Sequence, residues 1–100
     1  MNLLTKAIEK SLPALYATEK IPVSEKVLVV KFFTPWSNWT WYGTEYNPGE
    51  RLFFGFVVGM EKEWGYFSLD EMKSVQGPFG LKIERDLWWT PCKFKDLKVR

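Results

Sequence analysis

Histidine is absent from this 100-residue chain, and cysteine occurs once, as Cys92. The first absence removes Ser-His-Asp and Cys-His nucleophilic systems, together with the side chain whose ordinary pKa lies nearest neutral pH. Both together exclude histidine–cysteine zinc sites and thiolate cages. No Gly-x-Gly-x-x-Gly or Walker pattern occurs, so the usual nucleotide-phosphate cradles are missing as well. Long hydrophobic runs are also lacking. The longest, Val27–Val30 and Leu52–Met60, fall well short of the roughly 20 residues that span a bilayer. The N-terminal stretch carries Lys6, Glu9 and Lys10 among its apolar residues and does not read as a signal peptide. One cysteine without an export signal points to a reducing cytoplasm, with no membrane and no cofactor expected.

Neither sign of charge dominates. Fourteen Lys and Arg stand against 12 Asp and Glu, a net +2 that does not by itself imply a nucleic-acid partner. The basic residues lean toward the C-terminus: Lys82, Arg85, Lys93, Lys95, Lys98 and Arg100 against Glu84, Asp86 and Asp96, a distribution a solvated tail explains. Carboxylate chemistry remains open in principle, since Glu45, Glu50, Glu61, Glu63, Glu84 and Asp86 could supply a glycosidase pair or a magnesium site. Glu71-Met72-Lys73 matches a carboxylate-x-lysine nuclease fragment, a pattern that recurs by chance in charged helices. Residue presence is not site geometry, so a non-catalytic protein is expected.

What the chain has in abundance is aromatic side chains: six Trp, eight Phe and four Tyr. Each buries on the order of 150–250 Å², the dense burial that a single small domain spanning residues 1–100 needs to offset its surface-to-volume ratio. Leu4, Ile8, Leu12 and Leu15 recur at helical spacing; Asn2 is the candidate N-cap, and Pro13 predicts a break at Leu12. Val27–Phe33 is β-branched and aromatic on both faces, the pattern of a central strand. Asn38–Tyr46 alternates, with Trp39, Trp41, Gly43 and Glu45 on one face and Tyr42, Thr44 and Tyr46 on the other.

A turn at Asn47-Pro48-Gly49-Glu50, with positive φ available at Gly49, leads into a strand over Arg51–Met60. There Gly55 and Gly59 leave room for an aromatic ring or a close backbone. A charged hairpin at Glu61–Glu63 and a short strand Trp64–Phe67 follow. Ser68 and Glu71 have the spacing of a capping box over a brief helix to about Val75, ended by Gly77-Pro78-Phe79-Gly80. Leu87–Thr90 is the candidate edge strand. The expected fold is α+β: an antiparallel sheet of three to five strands, with an N-terminal helix and a short second helix packed on one face.

Candidate contact residues are the aromatics this core does not absorb. Trp36 follows Pro35 in a predicted turn, and if exposed beside Tyr42 and Tyr46 it would form a stacking platform. Trp88-Trp89 cannot both readily enter a one-sided core from a strand, so one of them either covers an edge or is displayed. Arg51 and Arg85 join Trp36, Tyr42, Tyr46, Trp88 and Trp89 as partner-binding candidates, because interfaces use Arg with Trp and Tyr as anchors. The alternative is single-stranded nucleic acid, with Trp36 stacking bases while Lys31, Lys82, Arg85 and Lys93 track phosphates. Glu84-Arg85-Asp86 is expected to form a local ion pair. Cys92 is expected to be an ordinary half-buried thiol.

The stretch Lys31-Phe32-Phe33-Thr34-Pro35-Trp36-Ser37-Asn38-Trp39-Thr40-Trp41-Tyr42 resembles the signature of a bacterial mobile-element family described only as a domain of unknown function. The resemblance continues through Phe53-Phe54-Gly55, Gly65-Tyr66-Phe67-Ser68-Leu69-Asp70-Glu71, Gly77-Pro78-Phe79-Gly80-Leu81 and Ile83-Glu84-Arg85-Asp86-Leu87, and departs only in the lysine-rich tail after Pro91. It implies an accessory protein of plasmids, conjugative elements or phages. That context favours proteins that handle transferred DNA or interfere with host defence, and the first expectation is a protein partner in the host cell, with inhibition of a host defence complex as one form.

Overall fold

The computed structural model describes residues 1–98, so Arg100 of the basic tail lies outside the described residues. In chain order the elements are α1 (Lys6–Ser11), β1 (Val27–Leu28), β2 (Val30–Phe33), β3 (Thr40–Asn47), β4 (Leu52–Val58), β5 (Lys62–Ser68), α2 (Leu69–Ser74), β6 (Glu84–Arg85) and β7 (Cys92–Lys93). Strands β5-β4-β3-β2-β6 form one antiparallel sheet, and β1 pairs separately with β7. The α+β expectation holds.

The N-terminal helix is capped by Thr5, not Asn2. Thr5 Oγ1 accepts from the Ile8 N–H at 3.2 Å, while Asn2 Oδ1 accepts from Leu4 N–H at 3.3 Å in a turn of its own. Leu12 leaves the helical region, as the residue before a proline must. The capping box begins as predicted, with Ser68 Oγ accepting from Glu71 N–H at 3.2 Å. Both helices serve one face: Leu3 and Leu4 before α1, half-buried Ile8 within it, Leu12 after it, and Leu69 and Met72 of α2 cover Val30, Phe32, Tyr46, Phe53 and Phe67. Phe53 is the hub, its ring 5.4 Å from Phe32, 4.5 Å from Tyr46 and 5.0 Å from Phe67.

The opposite face of the sheet is covered by the C-terminal segment. Phe94 and Leu97 pack with Leu28, Tyr42 and Phe56, and the Phe94 ring stands 4.8 Å from Phe56 and 5.2 Å from Trp64. This explains why Val27–Phe33 is not one strand. Leu28 diverges to meet Cys92, while Val30–Phe33 stays beside β3. The segment is clamped by Glu25, whose two carboxylate oxygens accept from Lys93 Nζ and Lys95 Nζ, each at 2.9 Å. Those hydrogen bonds hold the Glu25 carboxyl below its ordinary 4.5. A depressed folded-state pKa contributes stability above the unfolded value and loses it as pH falls through the folded one. Amide exchange at Cys92–Phe94 should therefore reveal more frequent opening once the pH drops below 4.5, and Glu25→Gln should abolish that pH dependence.

Position 44 inverts the alternation predicted for β3. Gly43 pairs with Gly55 but Glu45 pairs with Phe54, leaving Thr44 as an extra, bulged residue. Tyr46 consequently joins the helix-side core behind Trp41 and Gly43, and Glu45 crosses to the face of Tyr42 and Phe54. Gly55 and Gly59 have the predicted uses: a Cβ on Gly55 would lie 1.7 Å from the Tyr42 carbonyl oxygen, and one on Gly59 would lie 2.2 Å from the Trp39 ring. The left-handed position of the β3–β4 turn is taken by Arg51, φ 55°, and not by Gly49, whose N–H instead donates to Asn47 Oδ1 at 2.8 Å. Among the described residues no helix is long and apolar enough to cross a membrane.

Candidate partner-binding surface

The two adjacent tryptophans separate. Leu87–Trp88 is a turn and not the predicted edge strand, and the edge is β6 itself, paired to β2 through Phe32↔Arg85 and Phe33↔Glu84. Asp86 sets the turn: its Oδ1 accepts the Trp88 N–H at 2.9 Å, its carbonyl accepts the Trp89 N–H at 3.3 Å, and its own N–H donates to Lys31 O at 2.9 Å. Trp89 points inward. Its Nε1–H donates to Leu28 O at 3.0 Å, its ring lies 5.3 Å from Tyr42, and the Lys31 ammonium sits 5.7 Å over it while also pairing with Asp86 at 3.5 Å. Trp88 points out and is 93 % exposed. The displayed indole thus stands on a turn whose backbone is held by three hydrogen bonds, so the backbone share of the freedom lost on binding is already met by the fold.

On the other side of β6, the turn Pro78–Gly80 displays Phe79, fully exposed and in the left-handed region at φ 56°. An aromatic residue rarely adopts that conformation without support. The support is visible: Gly77 N–H donates to Leu81 O at 2.7 Å, and the half-buried Trp36 lies against Gly77, where a Cβ would come within 2.5 Å of its ring. Phe79 was not among the sequence candidates. Its signal was available in the Gly-Pro-Phe-Gly turn, which projects its third residue.

Other candidates fall elsewhere. Trp36 braces the Phe79 turn and packs on the helix-side core, and Tyr42 and Tyr46 are 4 % and 3 % exposed, so the predicted stacking platform does not exist. Burial pushes both phenols above their ordinary pKa. The reasons are physical: Tyr42 is covered by Trp89 and Phe56, and the Thr44 bulge turns Tyr46 inward. Arg51 donates to Asp70 Oδ1 at 2.6 Å, tying the β3–β4 turn to α2. The Glu84-Arg85-Asp86 ion pair is not formed, because neighbours on a strand face opposite ways. Asp86 pairs with Lys31, and Arg85 donates to Asn2 O through Nη1 and to Met1 Sδ at 3.2 Å through its backbone.

Of the proposed phosphate track, Lys31 and Arg85 lie on opposite faces of the sheet, Lys82 is exposed ahead of β6, and Lys93 is bound to Glu25. Cys92 is half-buried, and burial pushes its thiol up.

One cluster escaped the sequence reading. Glu45, 3 % exposed, accepts from Tyr16 N–H at 2.7 Å and from Thr18 N–H at 3.0 Å, and the Thr18 hydroxyl completes the set. Buried Lys26 donates to Thr18 O and, at 3.3 Å, to Thr18 Oγ1. With the Tyr46 N–H to Pro13 O bond of 2.9 Å, these contacts seal the edge of β3 beyond the end of β2. Among the described residues no three His, Cys, Asp or Glu side chains are placed to hold one metal ion.

Comparison with curated proteins and with solved structures finds no match. The family model described as a protein of unknown function, DUF2958, matches residues 3–94, and the chain belongs to that family.

Proposed function

We propose that this is a non-catalytic binding protein whose partner is another protein, docked on β6 and its two flanking turns with Trp88 and Phe79 as anchors. The observation that carries the reading is Trp88, 93 % exposed beside an exposed Leu87 on a turn whose backbone is fixed by Asp86 and by the inward-packed Trp89. Large aromatics left in water at rigid positions are the residues whose burial contributes most at interfaces. Lys82, exposed, and Arg85, half-buried, lie between the two anchors in the chain and offer the polar groups such surfaces carry at their rims. The outer N–H of Arg85 meets only a thioether, a weak acceptor that a partner's carbonyl improves on. The resemblance to accessory proteins of mobile elements supports a host protein, with inhibition of a defence complex as the role. Lys31 and Lys93 are committed to carboxylates, so the aromatic edge and not a phosphate track is the reading adopted.

Affinity capture from a bacterial host lysate tests this. Wild-type protein should retain a stoichiometric partner. Trp88→Ala should weaken retention by about 2 kcal/mol or more, roughly thirtyfold, with stability unchanged within about 0.5 kcal/mol because the side chain buries almost nothing. No partner, or equal retention by the variant, overturns the reading.

A further inference from the structure

A cavity of about 460 Å³ opens on the face opposite the helices, lined by Tyr16, Glu19, Lys26, Glu45, Phe54 and Tyr66. Its construction is specific. Tyr16 holds φ 70°, a left-handed conformation costly for a bulky side chain, and the Glu45 carboxylate keeps it there by accepting its N–H. The result is an exposed Tyr16 ring standing beside the exposed Tyr66 ring, with the Phe54 ring 5.2 Å from Tyr66.

The two buried charges largely answer each other through one residue, since Thr18 gives a hydrogen bond to Glu45 and takes one from Lys26. What remains for a ligand is the unpaired carboxylate of Glu19 and the electron-rich faces of three rings. The Tyr66 phenol is raised chiefly by its hydrogen bond to Tyr16 and by burial, with Tyr16, Glu45 and Glu19 adding in the same direction. Beyond the tyrosine pair a second cavity of about 510 Å³ continues the pattern, with Glu50 and Tyr46 in its lining and no lysine or arginine.

We propose that the Tyr16–Phe54–Tyr66 cavity binds an organic cation, a guanidinium or alkylated ammonium group, with Glu19 as its counter-charge. Cations are drawn to aromatic faces within about 6 Å of the ring centre, most strongly Trp and Tyr, and a nearby carboxylate adds to the attraction. The site is independent of the Trp88 surface, and Trp88→Ala should bind the cation as wild type does.

The test is a titration followed through the ring resonances of isotope-labelled tyrosine, using tetramethylammonium, argininamide and, as a neutral isostere, citrulline amide, the last two with the α-amino group acetylated. Argininamide or tetramethylammonium should shift the Tyr16 and Tyr66 resonances saturably, and which of the two does so distinguishes a guanidinium source from an alkylammonium one. Citrulline amide should bind about tenfold more weakly or not at all. Glu19→Gln and Tyr66→Ala, both at exposed positions that leave the fold intact, should each weaken the cation about five- to tenfold. Flat titrations with both cations, equal binding of citrulline amide, or saturation unaffected by both variants overturns the proposal.

Discussion

Gly55→Ala should cost about 4 kcal/mol or more, enough to leave much of the protein unfolded at 25 °C if its stability is typical of a small domain. The Cβ would stand 1.7 Å from the Tyr42 carbonyl oxygen, 2.8 Å from its carbonyl carbon and 3.1 Å from Gly43 Cα. All three are backbone atoms of the neighbouring strand, so no rotamer change relieves the clash and the β3–β4 ladder itself must part. Gly65, the next residue across the sheet in the Gly43↔Gly55↔Gly65 row, has nothing within 4 Å of its Cβ position. Gly65→Ala should therefore lie within about 0.5 kcal/mol of wild type, or slightly above it, since alanine loses less backbone freedom on folding. Urea denaturation of the two variants side by side measures the contrast, and equal midpoints would show that the close approach at Gly55 is not rigid.

Glu45→Ala should destabilise by about 3 kcal/mol, because it strands three donors and a buried ammonium at once. Tyr16 N–H and Thr18 N–H lose their acceptor, and the Lys26 charge loses the carboxylate that balances it through Thr18. Tyr16 should relax from its positive φ, and its amide and that of Thr18 should become the fastest-exchanging in the 13–18 segment. A loss below about 1 kcal/mol would mean that the segment is held by the Pro13–Tyr46 bond and packing alone.

Local chemistry in this chain was readable; the parity of β3 beyond residue 43 was not. Ser68 as a cap, the break before Pro13, the opposite fates of Trp88 and Trp89, and the close approaches at Gly55 and Gly59 all follow from what one or two residues can do. The bulge at Thr44 does not, because it arises from how Gly43 and Gly55 meet across strands. That single extra residue carried Tyr46 inward and delivered Glu45 to the far face. A glycine inside a strand pattern is a known mark of a bulge, so Gly43 was the available clue. Lys26 gave no clue: a lysine seven-hundredths exposed, satisfied by Thr18, looks in sequence like any connector lysine. Phe79 was legible in the Gly-Pro-Phe-Gly turn, but the brace that Trp36 forms against Gly77 was not.

Phe94 and Leu97 close the sheet face that Tyr42, Phe56 and Trp64 line. On the ribosome these two are made last among the residues of that layer. A nascent chain that has already paired β2 through β5 still holds a row of wet aromatic rings, the kind of surface that chaperones grip and that aggregates. Folding of the helix side can run ahead of synthesis, but the far side must wait for it.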